Sequence, residues 1–178
     1  MIIIYTGNGK GKTTAALGLV LRSLCDKKKV ILIQFIKSKK ESGEVSLKYI
    51  LPKLEIKCFG IGFVSLKHKN IKILKQNINI IEHGIKFVQE IIKLNKYNLI
   101  ILDEILVAYN LKLIKLNNII KLIKLFNSSA ADGNHKALVL TGRGCPKSLY
   151  KFADLVTEMK EIKHPLQKGI MAIKGIDF

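Results

Sequence analysis

Three short stretches of this sequence carry residue types that can do chemistry on a phosphate. The first is Thr6-Gly7-Asn8-Gly9-Lys10-Gly11-Lys12-Thr13. A glycine-rich turn between a strand and a helix presents successive backbone N–H groups to an anion, and the helix N-terminus adds a favourable dipole. Gly7, Gly9 and Gly11 permit unusual dihedrals and a close backbone approach. Lys12 then neutralises phosphate charge, and the Thr13 hydroxyl is placed to ligate magnesium. The motif G-x-x-x-x-G-K-[ST] is met only as a variant, because the residue five before Gly11 is Thr6 and the nearest glycine is Gly7. These residues read as a cradle for the triphosphate of a nucleotide, ATP with Mg2+.

The second stretch is Asp103-Glu104, at the end of the apolar run Asn98-Leu99-Ile100-Ile101-Leu102. A carboxylate at the C-terminal end of a neighbouring parallel strand faces the same crevice as the loop, so one or both acids organise the magnesium. The third is Thr141-Gly142-Arg143-Gly144, just beyond another strand end. Arg143 either reaches the phosphates with its fork of donors or is a surface turn residue.

Such residues need strands and helices to place them. Ile2 to Tyr5 reads as a buried strand and Thr13 to Cys25 as a helix. Val30 to Phe35 and Leu54 to Phe59 are further strand-length runs, with a polar, exposed loop at Lys37 to Glu44 between them. Ile71 to Leu94 carries apolar side chains at helical spacing. Leu111 to Phe126 suits an amphipathic helix, and Ala137 to Thr141 is another buried strand. Strand and helix alternate, and the strands are apolar on both faces. That predicts an α/β domain spanning residues 1–178, with a mostly parallel central sheet and helices on both faces.

Composition narrows the function classes. The chain has 178 residues and a formal net charge of +18. No uncharged apolar stretch of about 18 residues is present, so a membrane-spanning segment is not expected. The opening residues lack a basic region and a cleavage site, which places the protein in the cytosol. Cys25, Cys58 and Cys145 are odd in number and far apart, and are read as reduced, mostly buried thiols. The four histidines are scattered, so no transition-metal site is assigned. The lysines run along the whole chain, and aromatics are only 7% with no tryptophan. A nucleic-acid-binding module is therefore the secondary reading of the positive charge.

A phosphate loop leaves the reaction open. The blocks Thr6 to Ala16, Gln34-Phe35-Ile36-Lys37, Leu102-Asp103-Glu104, Thr141 to Cys145, Ala153-Asp154, Glu158, Lys163-His164 and Gly175 to Phe178 occur in one order along nearly the whole chain. In them the chain resembles the ATP:corrinoid adenosyltransferase family of the bacterial CobA/BtuR type. The resemblance implies a phosphate-loop NTPase-like, RecA-like fold. It also implies transfer of the 5′-deoxyadenosyl group of ATP to the Co(I) of a corrinoid, cob(I)alamin or cob(I)yrinic acid a,c-diamide, with release of triphosphate. In that family ATP lies reversed relative to ordinary phosphate-loop proteins. A nucleoside kinase or RecA-like ATPase is the rival reading, sharing the loop and the acids.

By position, the resemblance assigns ATP contacts to Gly7, Asn8, Gly9, Lys10, Gly11, Lys12, Thr13 and Thr14, with Arg22 as a further nucleotide contact, while Arg143 joins the nucleotide-binding candidates from its own place beyond a strand end. Its magnesium ligands fall on Thr13 and Glu104, with Asp103 in support. Its corrinoid-side motif falls on Gly62-Phe63-Val64-Ser65, where Phe63 matches and Ser65 replaces the family's tryptophan. Lys12, Glu104 and Phe63 are the catalytic candidates. A reduced corrinoid, an electron-donating flavoprotein reductase and a second copy of the chain are the implied partners. Longer family members carry a segment ahead of the first strand, so either a partner subunit closes the pocket here or it is more open.

Overall fold

The computed structural model describes residues 1–38, 43–62, 71–129, 135–173 and 175–176. Among the described residues the five strand-length runs form β1 (Ile2–Thr6), β2 (Val30–Phe35), β3 (Leu54–Phe59), β4 (Leu99–Asp103) and β5 (Ala137–Thr141), and a sixth strand, β6 (Leu155–Glu158), which no such run marks, joins them. All neighbouring pairs are parallel, in the order β3-β2-β4-β5-β1-β6. β2 and β4 are buried at every residue. The edge strands β3 (LEIKCF) and β6 (LVTE) carry polar and charged residues, which protects an open sheet edge from further pairing.

Alternation along the strands divides the core in two. Ile3, Val30, Leu32, Leu99, Ile101 and Val139 face α1 (Lys12–Cys25) through its Ala16 and Val20, and α2 (Leu47–Ile50) adds Leu47 to that side. Ile2, Ile4, Ile31, Ile33, Leu102 and Leu140 face the opposite layer, α3 (Ile71–Leu94), α4 (Ile105–Asn110) and α5 (Leu116–Ser129). Helices thus cover both faces, as alternation predicted. Among the described residues no helix is long and apolar enough to cross a membrane.

Two local expectations are corrected. The helix read from Leu111 begins only at Leu116, because Lys112 takes a positive φ of 58° and a turn separates α4 from α5. The cysteines are not mostly buried. Cys25 is exposed, Cys58 and Cys145 are half-buried, and no disulfide joins them. Burial is still enough to push the Cys145 thiol up to about 11.

β2, β4, β5 and β1 lie side by side in the sheet, so the loops leaving their C-terminal ends meet over one edge of it. That edge is the crevice where open parallel sheets bind ligands.

Candidate functional site

The glycine-rich loop leaves β1 at Thr6 and enters α1 at Lys12. Gly11 caps the helix at a φ of 113° and Gly7 sits at 102°, conformations that side chains with a Cβ rarely take. Lys12 is only 7% exposed. Its ammonium turns into the loop and donates to the carbonyls of Gly7 at 2.8 Å and Gly9 at 2.5 Å. Burial, and then the charge of Arg143, pull its pKa below the usual lysine value against the pull of Glu104 and Asp103. A group held in this way is ready to exchange two carbonyls for a phosphate oxygen, which compensates its charge better.

The loop is also held from outside by the chain leaving β6. The Met159 N–H donates to the Thr6 carbonyl at 2.8 Å, and the Gly9 N–H donates to the Met159 carbonyl at 2.7 Å. A Cβ on Gly7 would run into the Met159 backbone, and one on Gly9 would lie 2.8 Å from the Lys160 carbonyl carbon. Gly7→Ala is therefore expected to cost about 1–2 kcal/mol from its left-handed φ alone, lowering the melting temperature by about 2–8 °C, and to weaken ATP binding. Gly18, inside α1 with open space around it, should respond in the opposite sense. Gly18→Ala is expected to stabilise by about 0.5–1 kcal/mol. Thermal melts of the pair check this, and equal shifts in the same direction would contradict it.

Asp103, fully buried at the end of β4, joins the loop to its neighbours. Its Oδ1 accepts from the Thr13 hydroxyl at 2.9 Å and from the Thr141 hydroxyl at 2.7 Å. Its Oδ2 faces the Gln34 amide at 3.4 Å and the Lys37 ammonium at 3.7 Å. Lys37 also pairs with Glu44 at 3.2 Å. Burial pulls the Lys37 pKa down, but Asp103, Glu44 and Glu104 outweigh it and hold the pKa above its usual value. Because Thr13 gives its proton to Asp103, its oxygen lone pairs remain for a cation.

Glu104 follows in a left-handed conformation, φ 60°, and caps α4. Its N–H donates to the Thr141 hydroxyl at 3.0 Å, so one threonine ties together both acids. Burial, and then the charge of Asp103, raise the Glu104 pKa against the attraction of Lys37, Lys12 and Arg143. Arg143 is exposed, yet its charge reaches both Lys12 and Glu104. Its loop is anchored by Asn110, whose amide donates to the Arg143 carbonyl at 2.5 Å, and by the Cys145 N–H, which donates to Thr6 Oγ1 at 3.2 Å.

The structure thus gathers Lys12, Thr13, Asp103, Glu104 and Arg143 at one edge. Asn8, Lys10 and Thr14 are exposed around the loop mouth. Arg22 is not brought to them. It is exposed in the last turn of α1, ten residues beyond Lys12, about 15 Å of helical rise away. A basic residue there also suits the helix C-terminus. Phe63, Val64 and Ser65 lie outside the described residues. The sequence reading had not assigned Thr141, Gln34, Lys37 or Met159 to the site. Gln34 and Thr141 left a signal, being polar residues inside buried strands. Met159 left none, since only the backbone takes part.

Hydroxyl and carboxylate oxygens beside a phosphate loop fit Mg2+, a hard cation that keeps several waters and takes one or two carboxylates together with substrate phosphates. Thr13, Glu104 and Asp103 supply that donor set.

The whole chain, residues 1–178, matches the family model described as ATP:corrinoid adenosyltransferase BtuR/CobO/CobP. It is similar to corrinoid adenosyltransferase CobA of Salmonella typhimurium, 31% identical over 181 aligned positions that cover 100% of this chain and 85% of the relative. It is also similar to the corrinoid adenosyltransferase of a Sinorhizobium species, at 31% identity covering 100% of this chain and 80% of the relative. That of Pseudomonas aeruginosa is 30% identical, covering 100% of this chain and 83% of the relative.

Proposed function

The chain belongs to the ATP:corrinoid adenosyltransferase family, whose members adenosylate corrinoids with ATP in cobalamin biosynthesis, and we propose that its glycine loop holds the triphosphate of ATP as a leaving group. In this reaction the electron pair of Co(I) attacks C5′ of ATP. The cobalt–carbon bond forms, the C5′–O bond breaks, and its electron pair leaves on the triphosphate. No proton moves at carbon, so the site needs no general base and no protein nucleophile.

What the protein supplies is a place for developing negative charge. The backbone N–H groups from Gly7 to Thr14 other than that of Gly9, which Met159 holds, bind the triphosphate together with the Lys12 ammonium and Arg143, and their donors act in a partly dry site where they are strongest. Thr13 and Glu104, with Asp103 behind them, would hold Mg2+, which would supply further neutralisation of the departing phosphates. The observation that carries this reading is the hydrogen bond from Thr13 to Asp103, which locks the loop of β1 to the acid of β4. Phe63 is retained as the aromatic residue facing the corrinoid, whereas Arg22, at the end of α1 away from the loop, is dropped as a nucleotide contact.

We assign residues 1–178 to one cytoplasmic domain that works as a homodimer. Co(I) is a strong reductant and each corrinoid must be reduced to it before transfer, so a flavoprotein reductase is the fitting electron donor.

The test is incubation with ATP, Mg2+ and chemically reduced cob(I)alamin, followed by absorbance of the light-sensitive cobalt–carbon product and by analysis of the released phosphates. Triphosphate in proportion to adenosylated corrinoid is expected. Accumulation of ADP without corrinoid, and no alkylated product under strong reductant, would put the chain among kinases or ATPases instead.

A further inference from the structure

The end of β2 holds an unusual piece of backbone. The Lys37 N–H donates to the Phe35 carbonyl at 2.8 Å, and Ile36 between them has a φ of 72°. This is a γ-turn of the rare positive-φ kind, built on a β-branched residue for which that region is a true outlier. Strain of this kind persists only where the surroundings over-determine it. Here they do. Ile36 is only 2% exposed. Its N–H donates to the Phe59 carbonyl at 3.2 Å and its carbonyl accepts from the Gly62 N–H at 3.1 Å. Gly60 packs so closely on the Ile36 carbonyl that a Cβ there has no room.

The turn doubles the chain back over the strand ends and delivers the Lys37 ammonium to Asp103 Oδ2. The two oxygens of Asp103 therefore have separate tasks. Oδ1 takes the hydroxyls of Thr13 and Thr141, while Oδ2 faces Lys37 and Gln34. A carboxylate can turn about its bond to the chain, so a charge fixed beside one oxygen holds the plane in which the other meets the two threonines.

We propose that Lys37 is a positioning residue for the reaction, held by the strained turn at Ile36, and that by fixing Asp103 it orients the Thr13 hydroxyl toward the Mg2+ of the nucleotide. The inference rests on the reading of Thr13 and Glu104 as Mg2+ ligands. Lys37 touches neither the metal nor the phosphates in this role. Its effect appears in the metal dependence of turnover and leaves the affinity of the loop for metal-free nucleotide alone.

The experiment measures the Mg2+ concentration giving half-maximal turnover, at saturating ATP and cob(I)alamin, together with ATP binding in EDTA. Lys37→Met and Lys37→Gln are expected to raise that concentration about tenfold or more, the usual effect of losing a residue that orients metal ligands, with ATP binding in EDTA unchanged. Lys37→Arg, which keeps a charge and a fork of donors, recovers most of the loss. Gly60→Ala pushes on the turn while leaving Lys37 intact, and is expected to shift the Mg2+ requirement in the same direction. Neutral variants with the wild-type Mg2+ requirement would overturn the inference while leaving the Mg2+ reading intact. Wild-type turnover that proceeds equally without any divalent cation would overturn both.

Discussion

Lys12→Ala is expected to lower adenosylation by about a hundred- to a thousandfold, the usual effect of removing one preorganised donor from developing negative charge. The ammonium is buried and already positioned by the Gly7 and Gly9 carbonyls, so little rearrangement separates the resting loop from the loaded one. The fold should survive. The substitution leaves two carbonyls short of a partner, at about 1 kcal/mol for each hydrogen bond, and in return removes a charge that burial disfavours. Single-turnover rates with preformed cob(I)alamin separate the chemical step from binding. A variant that loses turnover only through weaker ATP binding, with an unchanged rate at saturation, would show that Lys12 holds the substrate and does not stabilise the leaving group.

Glu104→Gln should separate activity from stability in one substitution. Turnover is expected to fall about a hundredfold or more, because the side chain proposed to hold Mg2+ becomes a neutral, weaker ligand. Stability at neutral pH is expected to rise. Burial and the neighbouring Asp103 hold the Glu104 pKa above its unfolded value. The native state therefore prefers the protonated acid, and ionising it at higher pH opposes folding. The unfavourable contribution is absent below the unfolded pKa and grows as pH rises through the folded one. Glutamine removes it. Melting temperatures of the two proteins should therefore converge as pH falls toward 4 and separate toward pH 7, with the variant the more stable. A variant less stable than wild type at pH 7 would show that attraction from Lys12, Lys37 and Arg143 outweighs burial.

The sequence carried the nucleotide half of the site because its parts are contiguous. Gly7 to Thr13 contains the turn, the ammonium and the hydroxyl within one loop, and the apolar run before Asp103 places an acid at a strand end wherever that strand lies in the sheet. Alternation of apolar strands and amphipathic helices was equally local, and it led directly to a parallel sheet with two helical layers. What failed was local too. No pattern distinguished the turn at Lys112 from the helix around it, because its left-handed φ breaks a periodicity that the isoleucines and leucines continue.

Only the tertiary structure decided which distant groups meet. Thr13 and Asp103 are ninety residues apart and share a hydrogen bond because β5, between β4 and β1, brings their ends to one edge. Thr141 ties the two acids together from β5, and Lys37 reaches Asp103 from β2 only because Ile36 turns the backbone against its own preference. The need for glycine at positions 7 and 9 also has its full reason only in three dimensions, where the chain after β6 crosses over them. Sequence by itself determined the residue types and the local conformations that bind a triphosphate, since both follow from short-range sterics and hydrogen bonding. The packing of strands determined how those groups are charged, held and oriented, since burial and Coulombic interaction depend on neighbours that the order of the chain does not reveal.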